Sequence, residues 1–280
     1  MDNCWDTPTS VKNIKKLISL KNVDYECNVL NWNKFKYLQR AFIESGLPDI
    51  ELPTDIAIQS ILNKTAIKHG IKIILGGGNI SNEGILPSAW MYNPRDSLFA
   101  NSVLKKGNVP ISFFNECKNG FRDELIQRLI FRIRTLYPLN QFEYDKEQAR
   151  HNLIEKIGWE NYAGKHCESR YTRFCQLIYQ PKRHKMDYRR AHLSTDICLG
   201  RITRKEALII LNTPPWANLD VDNELQFISY KLGYNVSDMY EFMKQPPLWY
   251  KDFPNREKLL RIAYNTYRLF TGKNKHTANF

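Results

Sequence analysis

Between Lys165 and Lys205, eleven Lys and Arg side chains stand against three acids, Glu168, Asp187 and Asp196, in a chain whose formal net charge is +12. Like charges at that density repel one another, so a folded cluster needs an anionic partner or full solvation. A solvated basic face would explain the charge alone. It would not explain the His166, His192, Ser169, Thr172, Ser194 and aromatic residues interleaved with it. Helical geometry sharpens the pattern. With Tyr171, Phe174, Cys175 and Ile178 on a core face, Arg170 and Arg173 share another face one turn apart. In the following helix Arg190 pairs with Ser194, and Arg189 with His192, in the same manner. Two such helices could hold a pyrophosphate or triphosphate through bidentate guanidinium contacts, so the stretch reads as a phosphate-binding surface. Cys167, Cys175, Cys198, His166, His184 and His192 fit no zinc spacing, and no metal site is assigned.

A second group lies upstream. The run Gly76-Gly77-Gly78-Asn79-Ile80-Ser81-Asn82-Glu83-Gly84 follows directly on the apolar segment Ile71–Leu75. In open α/β sheets, ligands bind at the C-terminal ends of the strands, and glycines let the backbone approach them closely. Asn79 and Glu83 add an amide and a carboxylate at that edge. Neither GxGxxG nor GxxxxGK[ST] is present, so a tight turn without a ligand is the plain alternative. Pro87, Trp90 and Asp96 prolong the loop in place of an immediate helix.

The elements that must position these groups come next. Ser10 reads as the N-cap of a helix with Val11, Ile14, Leu17 and Ile18 on one stripe. Val23–Leu30 reads as a strand, and Asn33–Ser45 as a helix closed by Gly46. Thr54 or Asp55 would cap a third helix that ends at Gly70. Ile71–Leu75 has the nearly all-apolar character of a strand buried in a parallel sheet. Beyond residue 115 the pattern turns helical: Phe121–Tyr137, Asp145–Ile157, Glu168–Tyr179, Asp187–Leu199, a helix opened by the Thr203/Glu206 capping box, Asp222–Leu232, Ser237–Lys244 and Asn255–Thr271. Gly158, Gly233 and Gly272 would be stops. The expected fold is therefore an α/β domain over residues 1–115 followed by a mainly helical region over 116–280.

Composition narrows the function classes. A 42% hydrophobic content excludes a disordered chain, and no apolar run approaches the length of a membrane span. Met1-Asp-Asn-Cys-Trp-Asp is not a secretory leader, and six cysteines without regular spacing suit reduced thiols. These features point to a cytoplasmic protein with no membrane partner. The net charge suits a polyanion, such as a nucleotide, a phosphorylated sugar or a nucleic acid.

At these residues the sequence resembles the N-acetyl sugar amidotransferases, a branch of the PP-loop ATP pyrophosphatases found in bacterial surface-polysaccharide and flagellar-glycan gene clusters. The resemblance rests on DN-x-W at 2–5, PTD at 53–55, GGN-x-x-x-EGILP at 77–87, and GW-x-x-Y-x-GKH-x-ES-x-x-TRF-x-Q at 158–176. It continues through D-x-RRAHLST at 187–195 and G-x-ITR-x-EAL at 200–208. It implies a parallel sheet of the adenine-nucleotide alpha-hydrolase type. Family members resemble one another in opening with a cysteine-rich zinc-type segment, a strand and an SGG-x-DS loop that grips ATP. No SGG-x-DS occurs in these 280 residues. Compared with the family, the sheet is thus expected to be truncated, lacking its first strand and PP-loop, with Val23–Leu30 or Ile71–Leu75 partly unpaired. The chain alone is expected to be incomplete and inactive, with a separate N-terminal fragment as one source of the loop.

The implied reaction converts an acetamido group on a nucleotide-activated sugar to an acetamidino group, in LPS O-antigen or flagellin-glycan biosynthesis, using ATP and Mg2+. Attack of the amide oxygen on the α-phosphorus expels pyrophosphate, and ammonia then expels AMP. Under this resemblance Lys165, Arg173, Arg189 and Arg190 would bind phosphate, while Gly77, Gly78 and Asn79 line the crevice. His166 and His192 would orient substrate or move a proton, and each could equally be a satisfied structural histidine. Glu83 would bind Mg2+ or accept a proton from ammonia, and Asp55 is read as a helix cap. Ammonia would come from partners similar to a glutaminase subunit and a cyclase-like subunit. Two alternatives remain: a tRNA-modifying or RNA-binding PP-loop relative, and a non-catalytic remnant that binds a partner or sugar nucleotide. Against nucleic acid, the basic charge is local and no RNA-binding module is recognisable.

Overall fold

Helix punctuation in the sequence sets most element boundaries in the computed structural model, which describes residues 1–271 apart from 21–22, 84–85, 88–89, 91, 116 and 163. Gly84 and the expected stop at Gly272 lie outside the described residues. Thr7, not Ser10, caps α1 (Pro8–Ile18), and its hydroxyl accepts from the Ser10 amide. Proline is well suited to the first helical position, so Pro8 lets the helix begin earlier than expected. α2 (Trp32–Ser45) runs from the Asn31 cap to Gly46, which turns the chain at φ +81°. α3 (Leu52–Lys68) likewise starts early, with Pro53 in its first turn, so Asp55 sits inside the helix and not at its cap.

β1 (Ile73–Leu75), α4 (Ile80–Glu83) and α5 (Ser97–Lys106) follow, and Asp96 caps α5. Next come α6 (Phe121–Leu129), β2 (Arg134–Leu136) and α7 (Lys146–Ile157), the last closed by Gly158 at φ +66°. α8 (Arg170–Phe174) continues into a π-helix over Cys175–His184, and α9 (Arg189–Cys198) follows. The Thr203/Glu206 capping box opens α10 (Arg204–Asn212) as expected. α11 (Val221–Leu232), α12 (Val236–Lys244) and α13 (Glu257–Thr271) complete the chain.

The molecule is mostly helical with a small parallel sheet, and three strand or helix expectations are corrected. Val23–Leu30 is not a strand. It makes one isolated parallel bridge, Asp2 with Val29, and Val23, Tyr25 and Val29 stay exposed. Among the described residues no further strand pairs with it, so the ladder does not extend. Ile71–Leu75 does form a strand, but β1 is not buried: Ile73 is 55% and Leu75 70% exposed. Its one ladder partner among the described residues is β2, with Ile73 opposite Arg134 and Leu75 opposite Leu136. The expected helix Phe121–Tyr137 ends at Leu129. Arg132 adopts a left-handed φ of +55°, and the reversed chain donates Arg134 N to Lys72 O at 2.9 Å. Hydrogen bonds offered by β1 outweigh a helical period in which only the apolar spacing favoured continuation.

The core lies between α2, α5, α8, the π-helix and α11, and draws on both sides of residue 115. Tyr171, Phe174, Cys175 and Ile178 are all buried in it, as their spacing required. Trp5 stacks on Tyr171 at 4.9 Å and donates its indole N–H to Gln39 Oε1 at 2.9 Å. An aromatic body with its polar end satisfied can be buried without a desolvation penalty. Among the described residues no helix is long and apolar enough to cross a membrane.

Candidate functional site

A crevice with two chemically different sides runs past the start of α8. On one side the turn Gly46–Ile50 is held carbonyl by carbonyl. Tyr179 Oη donates to Leu47 O at 2.9 Å, Gln180 Nε2 to Pro48 O at 3.1 Å, and His184 Nε2 to Gly46 O at 2.9 Å. Tyr171 Oη adds a longer bond, 3.4 Å, to Ile50 O. A widened π-turn brings donors from one short segment onto several carbonyls of a neighbouring loop. Burial pushes the His184 imidazole down to about 4, which keeps it neutral.

The turn held in this way presents three carboxylates. Asp49 Oδ1 accepts from Glu51 N at 3.0 Å, and its other oxygen accepts from the Tyr92 hydroxyl. Glu51 Oε1 accepts from Thr172 Oγ1 at 2.5 Å. Asp55, one helical turn further on, is solvent-exposed although protein surrounds it in depth, as at the floor of a crevice. Loss of solvation, then the neighbouring Asp49, pushes Asp55 up to about 8. Glu51 is raised well above its ordinary value by loss of solvation, then by Asp55 and Asp49. Asp49 is raised by loss of solvation.

On the other side stand Lys165, His166, His192 and Glu83. Lys165 Nζ donates to Asn82 O at 2.8 Å and lies 3.5 Å from His192 Nε2 and 3.7 Å from Glu83 Oε2. His166 holds a left-handed φ of +61°, and its Nδ1 is 3.9 Å from Glu168 Oε1. A non-glycine residue in that conformation is uncommon and persists where its surroundings impose it. Loss of solvation, then the adjacent Lys165, lowers His166 to about 4 and also lowers His192. Lys165 is lowered too, again chiefly by loss of solvation. His192 Nδ1 is buried without a hydrogen-bond partner among the described residues. Arg201 fastens α4 to α9 by donating to Ser81 O and Asp196 Oδ1, each at 3.0 Å. Glu168 stands between the two sides, acting on Glu51 in one direction and on Lys165 in the other.

The structure thus brings Glu83, Lys165, His166 and His192 together and distributes the remaining sequence candidates elsewhere. Arg173 and Arg170 converge on Glu224 Oε1 of α11, at 2.7 and 2.8 Å, and Arg170 also lies over the Phe227 ring. Arg189 forks onto Asp187, with Nε–Oδ1 3.0 Å and Nη2–Oδ2 2.7 Å. Arg190 is exposed. Asn79 is buried and serves the turn: its Oδ1 accepts from Ser81 N at 3.0 Å and Asn82 Nδ2 at 3.1 Å, while its Nδ2 donates to Leu139 O. Gly77 is exposed with room for a side chain, and Gly78 is half-buried. Gly76 is the position that demands glycine, because a Cβ there would collide with the Tyr137 ring. Asp49, Glu51 and Tyr92 were missed from sequence, whereas Thr172 was singled out but not paired with Glu51. The spacing of Asp49, Glu51 and Asp55 around Pro53 was the available signal.

A family model for the C-terminal domain of WbpG-like LPS biosynthesis proteins matches residues 168–268. No curated protein matches the chain. The segment from Glu168 through α13, which supplies Glu168, Thr172 and His192 to the crevice, is therefore similar to a domain of LPS biosynthesis proteins. Among the described residues no group of three or more His, Cys, Asp or Glu side chains could hold a metal ion. The residues do not make a dedicated magnesium cage, and no step below passes through one. The crevice can offer neutral imidazoles as proton acceptors, a half-buried lysine as donor, and carboxyl groups whose proton affinity is raised, Asp55 to about 8.

Proposed function

We propose that the chain acts in LPS O-antigen or flagellin-glycan biosynthesis as an N-acetyl sugar amidotransferase of the PP-loop ATP pyrophosphatase type. It converts the acetamido group of a nucleotide-activated sugar to an acetamidino group with ATP and ammonia. The observation that carries this reading is the meeting of Lys165, His166 and Glu83 with His192 and Glu168, the last two of which lie in the stretch 168–268 that resembles a domain of LPS biosynthesis proteins.

The chemistry suits those groups. The amide oxygen attacks the α-phosphorus of ATP, pyrophosphate leaves, and ammonia then displaces AMP together with that oxygen. Once ammonia has bonded to the imidate carbon its nitrogen becomes strongly acidic, and a neutral imidazole is able to take the proton it sheds. His192 supports this reading, with Nε2 3.5 Å from Lys165 Nζ and Nδ1 without a hydrogen-bond partner among the described residues. Lys165 offers charge to the oxygen as it turns anionic. Magnesium, when bound through the nucleotide's phosphates, would neutralise the departing pyrophosphate. Under this reading β1 and β2 belong to a sheet of the adenine-nucleotide alpha-hydrolase type. SGG-x-DS is not among these 280 residues, and under this reading a separate fragment carrying it would supply the phosphate grip. Ammonia comes from a glutaminase subunit working with a cyclase-like subunit.

Cells that make the polysaccharide provide the test. Deleting the gene should leave acetamido where acetamidino sugars were, and a Lys165→Ala/His192→Gln double variant should fail to restore them. Unchanged sugar composition after deletion would sink the proposal.

A further inference from the structure

Beside the carboxylates lies a small pocket whose walls are aromatic. Trp90, Tyr92, Phe99, Trp249 and Tyr250 line it, and Asp49 closes one side. The walls are fixed. Phe99 meets Tyr250 edge to face at 4.6 Å, Tyr250 Oη donates to Asp96 Oδ2 at 2.5 Å, and both rings are buried. Trp249 meets His184 edge to face at 5.5 Å, and Trp90 packs against Tyr188 at 5.6 Å. The free space accommodates about one water-sized group, which matches a methyl and excludes a sugar ring.

We propose that this pocket seats the methyl end of the sugar's acetamido group and holds, against Asp49, the cationic acetamidino group that replaces it. The inference rests on the amidotransferase reading and names the part of the substrate that this crevice recognises. Three features of the pocket select such a group. Aromatic faces attract cations and pack against C–H groups. An amidinium also carries an N–H beside its methyl group, which can donate to a carboxylate at the pocket's edge as a charge-assisted hydrogen bond. Among the described residues no ion pair to Asp49 is formed: its oxygens accept from Glu51 N and from the Tyr92 hydroxyl. A triphosphate would be repelled here once Asp49, Glu51 and Asp55 ionise. A hydrated metal ion is too large for the methyl-sized space and would leave the five rings unused. A carboxyl that keeps its proton can donate to the neutral amide oxygen, and an ionised one pairs with the product. The same side chains therefore serve both ends of the reaction.

Saturation-transfer NMR on the whole chain tests this, with acetamidinium chloride, acetamide and magnesium chloride as probes. Saturation should reach the methyl group of acetamidinium. Asp49→Asn keeps the oxygen that accepts from Glu51 N and should weaken acetamidinium about tenfold while sparing acetamide, as loss of a charged hydrogen-bond partner requires. Trp90→Ala, on the pocket's outer wall, should weaken acetamidinium about threefold through the lost ring face. Thermal melts establish that both variants fold. No saturation in the unaltered chain, equal acetamidinium binding by Asp49→Asn, or displacement of acetamidinium by magnesium would each overturn the proposal. Acetamidino sugars that persist in cells carrying Asp49→Asn and Trp90→Ala would overturn the pocket and leave the enzyme reading standing. Saturation of acetamidinium in a protein whose deletion leaves the polysaccharide unchanged would support the pocket and overturn the enzyme reading.

Discussion

The two sides of the crevice carry opposite formal charges and reach the same condition. Asp49, Glu51 and Asp55 are acids whose proton affinity rises, while Lys165, His166 and His192 are bases whose proton affinity falls. Loss of solvation is the largest cause on both sides, because burial disfavours the charged form of either kind. Like neighbours add to it: Asp49 acts on Asp55, and Lys165 acts on both histidines. The lesson is that formal charge in the sequence does not set the charge of a site. Outside the crevice the charged groups are paired, Arg170 and Arg173 with Glu224 and Arg189 with Asp187.

That contrast can be broken at several points. The largest effect should come from Glu224→Ala, which leaves two arginines, each less than a quarter exposed, facing no carboxylate. Breaking a buried pair from one side costs about 3 kcal/mol or more, read as a lower urea midpoint with unchanged slope. A Glu224→Ala chain that melts normally but loses sugar-nucleotide affinity would move these arginines from scaffold to site. Next, His192→Gln should lower amidino-sugar formation about a hundredfold, as expected when a positioned proton acceptor is removed, with little change in melting. A loss of stability without loss of activity would make His192 structural.

The pH profile of stability sharpens the comparison further. Asp55 holds its proton in the folded state up to about 8, against an ordinary 3.8. Its contribution is full below that ordinary value and is lost as pH rises through about 8. His166 and His184 stand at about 4 against an ordinary 6.5, so theirs is present above 6.5 and lost as pH falls towards 4. The melting temperature should therefore fall between pH 6.5 and 8.5, and Asp55→Asn should flatten that fall. An unchanged slope in Asp55→Asn would remove the carboxylate side from the argument. The smallest effect concerns thiols: the exposed Cys27 and Cys198 should label quickly in the native protein, and the buried Cys167 and Cys175 only as it opens.

Local signals were legible. The Thr203/Glu206 box, the Gly46, Gly158 and Gly233 stops and the inward face of Tyr171, Phe174, Cys175 and Ile178 all follow from periodicity and capping, which depend on residues within one turn of each other. The grouping of Lys165, His166, His192 and Glu83 was foreshadowed by residue type. The sharing of Glu224 by two arginines, by contrast, joins residues about fifty positions apart, and no spacing rule reaches that far.

By itself the sequence determined most of the helical segments, though not α5 or the end of α6, and which side chains have the chemistry for a site. Tertiary structure alone decided which of them act as ions. The charge of a side chain depends on how much water it loses and which groups replace that water, and both are set when distant segments pack. The π-helix shows this directly: its donors hold the Gly46–Ile50 turn and thereby seat Asp49 beside aromatics drawn from three separate stretches of chain.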